Sequence, residues 1–159
     1  MSKFPENSQI KVSGDFSNRI RHLIYENECQ SNKDLADLIG ISTPVISKAV
    51  NYGIIPSLRS LIKIADKFDL SLKYLLGIDE QNEFIPTDTP TTFYDRFDML
   101  AKEKKLKYAK IASQMSFERT YIYEWFKEGT LPSLEYLFQI ADFFKVSPDY
   151  LLGRTDYRV

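Results

Sequence analysis

Apolar residues recur along the chain at helical spacing, in short runs separated by polar caps, glycine and proline. Between residues 16 and 24 the apolar positions follow one face of a helix. Ser31 then has the character of an N-cap, with Asp34 three residues later, before a shorter apolar run. Gly40 ends that run. The pattern predicts a first helix, a loop and a short second helix.

The same alternation of caps and apolar runs continues to residue 77. Ser42 is predicted to cap a third helix, in whose first turn Pro44 is tolerated because amide groups there lack intrahelical partners. Ser57 is predicted to cap a fourth helix and Ser71 a short fifth, which Gly77 closes. Residues 16–77 are therefore predicted to form five helices.

This pattern occurs twice. Fourteen residues recur at one offset of 76, and upstream matches at an offset of 77 give the first copy one extra residue between its first and second helices. The fourteen are Gly53, Pro56, Ser57, Leu58, Leu61, Ile64, Ala65, Asp66, Phe68, Ser71, Tyr74, Leu75, Leu76 and Gly77. A helical unit duplicated at this period predicts an all-α protein with two tandem five-helix domains. We expect a first domain at residues 1–77, a semi-extended linker at 78–91 containing Pro86 and Pro90, and a second domain at 92–159.

Composition and charge favour a globular protein and give no sign of a strongly basic nucleic-acid-binding domain. The chain is 43% hydrophobic and 14% aromatic, which is typical of packed cores. Residues 1–80 hold ten basic and ten acidic side chains and residues 81–159 hold eleven and twelve, so neither half has a basic excess. The single cysteine, Cys29, and the absence of a run of about 18 apolar residues favour a cytoplasmic protein without a membrane span.

The sequence offers no catalytic constellation. His22 and Glu26 lie four residues apart, but two ligands without a third are weak support for a metal site. The glycines punctuate helices and form no phosphate loop. We therefore expect no enzymatic activity, no cofactor, no metal and no small-molecule ligand.

The second and third helices of each copy are joined by a tight turn. Such a pair allows one helix to enter the DNA major groove while its predecessor lies against the backbone. Ala36 and Ala112 are predicted to lie where the two helices cross, because a methyl group allows close approach. Ile46 and Ile122 are predicted to face inward and hold the third helix to the rest of the domain.

Two long stretches carry a resemblance to a known family. They are SNKDLADLIGISTPVISKAVNYGIIPSLRSLIKIADKFDLSLKYLLG and KYAKIASQMSFERTYIYEWFKEGTLPSLEYLFQIADFFKVSPDYLLGRTD. Each resembles the Cro/CI-like, or XRE, family of helix-turn-helix domains, and the half from PSL to LLG is the most specific part. The resemblance implies a lambda-repressor-like fold in both copies and double-stranded DNA as the partner.

The resemblance also implies contact residues in the first copy. Asn32, near the start of the second helix, corresponds to a position that touches a phosphate or a nearby base edge. Thr43, Pro44, Val45 and Lys48 correspond to the first turns of the reading helix. Thr43 and Lys48 can hydrogen-bond to bases or phosphates and Val45 can pack on a thymine methyl, whereas Pro44 offers shape only.

In the second copy the corresponding residues are Tyr108, Arg119, Thr120 and Tyr121. Lys107 belongs to a lysine-rich run that either strengthens phosphate binding at the start of the second helix or is an ordinary solvated surface: Lys102, Lys104, Lys105, Lys107 and Lys110. Arg119 suits bidentate recognition of guanine or phosphate. This copy departs from the family pattern: Ser116 replaces the turn glycine, Glu124 brings a negative charge to the reading helix, and Tyr121 and Tyr123 add aromatic rings to its outward side. Trp125 aligns with Ala49 and is predicted to be packed inside.

Two functional hypotheses remain open. The first is a sequence-specific DNA-binding transcriptional regulator, a repressor, in which one chain supplies two non-identical reading heads or two chains form a homodimer. The second is a protein-interaction or dimerisation module in which one copy no longer binds DNA. The near-neutral charge of both halves motivates this hypothesis, and the second copy is the better candidate for the loss because its third helix is aromatic.

Overall fold

The computed structural model describes residues 13–159, which form ten helices and, within that range, no β-strand element. The first five helices are α1 Gly14–Glu26, α2 Asn32–Ile39, α3 Thr43–Tyr52, α4 Leu58–Phe68 and α5 Leu72–Leu75. The second five are α6 Phe93–Glu103, α7 Tyr108–Ala112, α8 Arg119–Glu128, α9 Leu134–Phe144 and α10 Pro148–Leu151. The all-α prediction is confirmed. No helix within the described residues combines the length and hydropathy needed to cross a membrane.

The described residues divide into two compact units, one ending at Phe84 and the other spanning Ile85–Val159. Residues 1–12 of the predicted first domain lie outside the described residues. The segment 78–91, predicted as a linker, is shared between the units. Asn82 bonds to the first unit by accepting from the Ser71 amide at 3.0 Å, whereas the Thr87 amide in the second unit donates to the Arg154 carbonyl at 3.0 Å.

Serine residues are the N-caps of most of the predicted helices. Ser31, Ser57, Ser71, Ser133 and Ser147 each accept a hydrogen bond from the amide three residues later, at 3.0 to 3.3 Å. These bonds satisfy amide groups that have no partner inside the helix. Ser42 also occupies an N-cap position, but its side chain makes no capping bond, and Pro44 follows in the first turn.

The loop before the second helix confirms the predicted length difference between the copies. Five residues, 27–31, separate α1 from α2, and four residues, 104–107, separate α6 from α7. Both loops place a non-glycine residue in the left-handed region, Glu28 with φ 55° and Lys105 with φ 57°. Glu28 and Lys105 therefore occupy equivalent places on the backbone, although their charges are opposite.

A matched arginine ties the first helix of each unit to the last. Arg19 donates to the Tyr74 carbonyl at 3.0 Å and to the Asp79 carbonyl at 3.2 Å, and its guanidinium lies 4.0 Å from the centre of the Tyr74 ring. Arg96 repeats the arrangement with the Tyr150 and Thr155 carbonyls. A planar guanidinium can stack and donate at the same time, which an ammonium group cannot. These arginines therefore belong to the scaffold that positions the helix-turn-helix pairs.

Candidate nucleic-acid interface

In the first unit, α2 and α3 meet through a three-residue turn that begins at Gly40. Gly40 has φ 90°, a left-handed conformation that a residue with a Cβ adopts only with strain, and its amide donates to the Ala36 carbonyl at 2.8 Å. Ala36 and Ile46 are fully buried at the crossing. The predicted inward roles of both residues are confirmed, and α3 is held along one side only.

The other side of α3 carries the predicted contact residues. Pro44 and Lys48, one turn apart, are exposed, whereas Thr43 and Val45 are half-buried. Asn32 at the start of α2 is also half-buried, and its amide group donates to the Ser47 hydroxyl on α3 at 3.3 Å. This bond holds the Asn32 side chain against α3.

In the second unit the turn between α7 and α8 has a different construction. Ser116 occupies the place of Gly40 and does not adopt a positive φ. Helix α7 ends at Ala112, whereas α2 continues to Ile39, whose counterpart is Met115. The amide and hydroxyl of Ser116 are instead bonded to the side chain of Gln139 on α9, at 3.0 and 2.7 Å. A side-chain bond therefore fixes a turn that the first unit fixes with glycine.

Helix α8 repeats the one-sided attachment of α3. Ile122 is fully buried and Trp125 is 5% exposed, with ring centres 5.1 Å from Phe117 and 6.1 Å from Phe93. The predicted burial of Trp125 is confirmed. On the opposite side Arg119, Thr120 and Tyr121 are exposed, as are Tyr123 and Glu124.

A family comparison matches both of these regions. The Helix-turn-helix family matches residues 31–75, which contain α2 to α5, and residues 99–151, which contain α7 to α10. The chain belongs to the Cro/CI-like helix-turn-helix family, in two tandem copies. This family binds DNA, and the two matches coincide with the two units. Comparisons with curated proteins and with solved structures each gave no match.

Tyr108 is one residue at which the second helix-turn-helix departs from the predicted contact pattern. Its hydroxyl donates to the Asp98 carboxylate at 2.8 Å, and its ring lies 5.3 Å from Phe126 and 6.0 Å from Tyr123. Burial and the bond to Asp98 raise the pKa of Tyr108 to about 12. The hydroxyl thus stays protonated, and its one proton is committed to Asp98. In this arrangement Tyr108 has no proton to donate to a phosphate.

An open cleft of about 460 Å³ lies between α7 and the start of α8 in the second helix-turn-helix. The first unit has a lysine and an aspartate at two of the equivalent positions, Lys33 and Asp37, which pair at 2.6 Å, whereas the second has Ala109 and Ser113. The smaller side chains leave room beside Arg119. The residues that line the cleft are Ala109, Ala112, Ser113, Met115, Phe117, Glu118, Arg119 and Thr120.

Two features of the helix-turn-helix units are not predicted by the sequence pattern. One is the pair of arginines that join residues more than 50 positions apart, Arg19 with Tyr74 and Arg96 with Tyr150. Because both pairs are matched in the repeat, the repeat could have indicated this contact. Lys105 belongs to the lysine-rich run before and within α7. Its equivalence to Glu28 depends on backbone conformation, which a sequence alignment with a one-residue gap does not define.

Proposed function

We propose that the chain is a sequence-specific regulator of transcription, a repressor, that binds double-stranded DNA with both of its helix-turn-helix units. One observation carries the proposal: α3 and α8 are each anchored by a fully buried isoleucine, Ile46 or Ile122, and each presents polar side chains on its free side. Such a helix can enter the major groove without losing its own packing. Repression requires stable occupancy of a DNA site, and two linked DNA-binding units favour such occupancy. We expect the protein to act in the cytoplasm.

The chemistry of α3 supports base reading by the first unit. Lys48 is exposed and can donate to guanine acceptors or to phosphates. Thr43 and Pro44 stand at the start of the helix, and the methyl groups of Val45 suit a thymine methyl. Asn32, held by Ser47, contributes an amide oxygen at the edge of the same surface.

The chemistry of α8 supports a different sequence preference for the second unit. Arg119 and Thr120 are exposed at the start of the helix, and Tyr121 is 44% exposed one residue later. Arg119 suits guanine or phosphate, and Lys107 is exposed at the start of α7 nearby. Because these residues differ from those of α3, one chain is expected to prefer an asymmetric or imperfectly palindromic site. Two chains paired as a homodimer would instead prefer a symmetric one.

The surface of α8 also favours a second candidate function, a protein-interaction module in the second unit. Tyr121 and Tyr123 are 44% and 52% exposed, and Glu124 follows them. Exposed tyrosines are frequent at protein interfaces, and a carboxylate in the groove is limited to accepting from a cytosine amine. This candidate predicts that DNA binding depends on the first unit alone.

The experiment that tests these functions is selection of bound fragments from random duplex DNA at two salt concentrations. A regulator with two reading heads enriches a motif with two dissimilar halves. Lys48→Ala should relax preference in one half and Arg119→Ala in the other, each by about 1–3 kcal/mol of discrimination. Lys63→Ala, an exposed change on α4, is the matched control. Absence of any enriched motif, or indifference of affinity to both Lys48→Ala and Arg119→Ala, would overturn the proposed function.

A further inference from the structure

The two helix-turn-helix units differ in the charge of the surface that would meet DNA. In the first unit, residues 27–52 carry two basic and three acidic side chains, Lys33, Lys48, Glu28, Asp34 and Asp37. The equivalent residues of the second unit, 104–128, carry six basic and three acidic ones. The difference is concentrated before and within α7, where residues 104–117 contain four lysines and no carboxylate.

The lysine of α2 is neutralised within the first unit. Lys33 bonds to Asp37 at 2.6 Å, which is one turn further along the same helix. The nearby Asp34 adds another carboxylate, whose oxygen accepts from the Gln30 amide at 2.9 Å. The second helix of the first unit therefore presents no net positive charge to a polyanion.

The lysines of the second unit are differently placed. Lys105, Lys107 and Lys110 are exposed and form no ion pair with any residue in the described range 13–159. Two carboxylates on α6 have other partners: Asp98 accepts from Lys102 and Tyr108, and Glu103 accepts two bonds from Arg158. These bonds hold the pKa of Asp98 and of Glu103 below their usual values. The three lysines are thus left available for an external anion.

Lys107 and Lys110 lie at the N-cap of α7 and within it, beside the helix that is proposed to read bases, and Lys105 lies in the loop before α7. Helix α7 packs directly on α8, and Arg119 begins α8. DNA carries a negative charge about every 1.7 Å of the helix axis, so a cluster of cations here is complementary in charge to the backbone that flanks the major groove. We call Lys105, Lys107 and Lys110 the basic edge.

We propose that the two units share DNA binding unequally: the basic edge of the second unit supplies most of the attraction to phosphates, and the first unit contributes mainly base recognition. The inference rests on the proposed DNA-binding function and deepens it. In this division the second unit is the main electrostatic contact to DNA, whereas its aromatic α8 favours a role in protein interaction.

The test uses the full-length chain and a labelled random-sequence duplex of about 30 base pairs, enough for two half-sites. Binding is measured by fluorescence anisotropy between about 50 and 200 mM salt, and the slope of log affinity against log salt is compared among variants. One variant is Lys105→Gln/Lys107→Gln/Lys110→Gln. The matched control, Lys63→Gln/Lys67→Gln/Lys145→Gln, removes the same charge at exposed positions outside α2, α3, α7 and α8. Circular dichroism verifies that both variants remain folded.

Removing the basic edge should reduce the magnitude of the slope by about 2 to 3, since each phosphate contact contributes about 0.9. Affinity near 100 mM salt should fall about tenfold to one-hundredfold, and the control should follow the wild type. Lys33→Gln/Lys48→Gln in the first unit should change the slope by about 1 or less.

Two results would overturn the inference, and they are distinguishable. If the wild type binds with a salt-dependent affinity but loss of the basic edge changes the slope no more than the control does, or less than Lys33→Gln/Lys48→Gln does, the unequal division is wrong and DNA binding stands. If the wild type does not bind duplex DNA even at about 50 mM salt, where electrostatic binding is strongest, the proposed function fails as well.

Discussion

The contact between the second and third helices is polar in the first unit and aromatic in the second. Asn32 donates to Ser47 at 3.3 Å across the first contact. At the same two positions the second unit has Tyr108 and Tyr123, with ring centres 6.0 Å apart, and Tyr108 lies 5.3 Å from Phe126. The backbone arrangement is preserved although the interaction is not. A helix-turn-helix therefore requires a filled contact at this place and does not specify its chemistry.

The contact between the first and third helices shows the same substitution. In the first unit the Ser17 hydroxyl and the Arg21 guanidinium donate to the Val50 carbonyl, at 2.9 and 2.7 Å. In the second unit Tyr94 and Phe97 pack on Phe126, with ring centres 5.4 and 5.9 Å apart. Tyr94 takes the place of Ser17 and Phe97 that of Ile20, and the aromatic rings bury a large apolar area. The second unit has consequently gained apolar packing where the first has kept hydrogen bonds.

The largest expected effect comes from removing the centre of the aromatic packing. Trp125→Ala should lower the free energy of unfolding of the second unit by about 3–5 kcal/mol, because it deletes a large buried ring. Urea unfolding followed by circular dichroism at 222 nm measures the loss, and amide hydrogen exchange assigns it to one unit. Ala49→Trp at the matched position should destabilise the first unit by about 1–3 kcal/mol through overpacking. Equal tolerance of tryptophan at both positions would show that the two cores are interchangeable.

A smaller effect is expected from the phenol that joins α7 to α6. Tyr108→Phe should cost about 0.5–1.5 kcal/mol at neutral pH, the value of a half-exposed hydrogen bond. Because Tyr108 has a pKa raised to about 12, its contribution is complete below pH 10.0, the ordinary value, and is lost as pH rises from there toward about 12. Asp98 has a lowered pKa, so its contribution is present above 3.8 and is lost as pH falls through the lowered pKa.

Urea unfolding at neutral, alkaline and acid pH tests this paired dependence. The wild type should lose stability at both extremes, and Tyr108→Phe should show a reduced loss at each. DNA affinity of Tyr108→Phe should stay within about twofold of the wild type, because the hydroxyl bonds to Asp98 and not to a phosphate. A tenfold weaker affinity with unchanged stability would instead support the predicted phosphate contact of Tyr108.

The sequence was sufficient for those parts of the fold that depend on local chemistry. Serine caps, the buried isoleucines and the one-residue difference between loops follow from spacing and from the repeat. The bond between Ser116 and Gln139 did not follow, because Gln139 lies on another helix, 23 residues away. The Tyr108 bond to Asp98 is of the same kind. The ten predicted contact residues stay predictions until DNA binding is measured.

The smallest expected effect is on DNA affinity, and it tests the difference in charge between the two units by a change in the first unit. Asp37→Ser introduces the residue that the second unit has at this position, Ser113, and removes the partner of Lys33. The freed lysine should increase the slope of log affinity against log salt by about 0.9 and the affinity by a few-fold. Fluorescence anisotropy with a random duplex measures both, and Asp66→Ser on α4 controls for the change in net charge. An increase shared equally by both variants would indicate a general charge effect.

The burial of Trp125 also has a practical consequence. It is the chain's single tryptophan, and it lies on the inner side of α8 with the exposed residues of that helix opposite. Its emission therefore reports on one unit while the other stays silent. The fluorescence of Trp125 can therefore show whether α8 is packed on the rest of the second unit, without an attached dye.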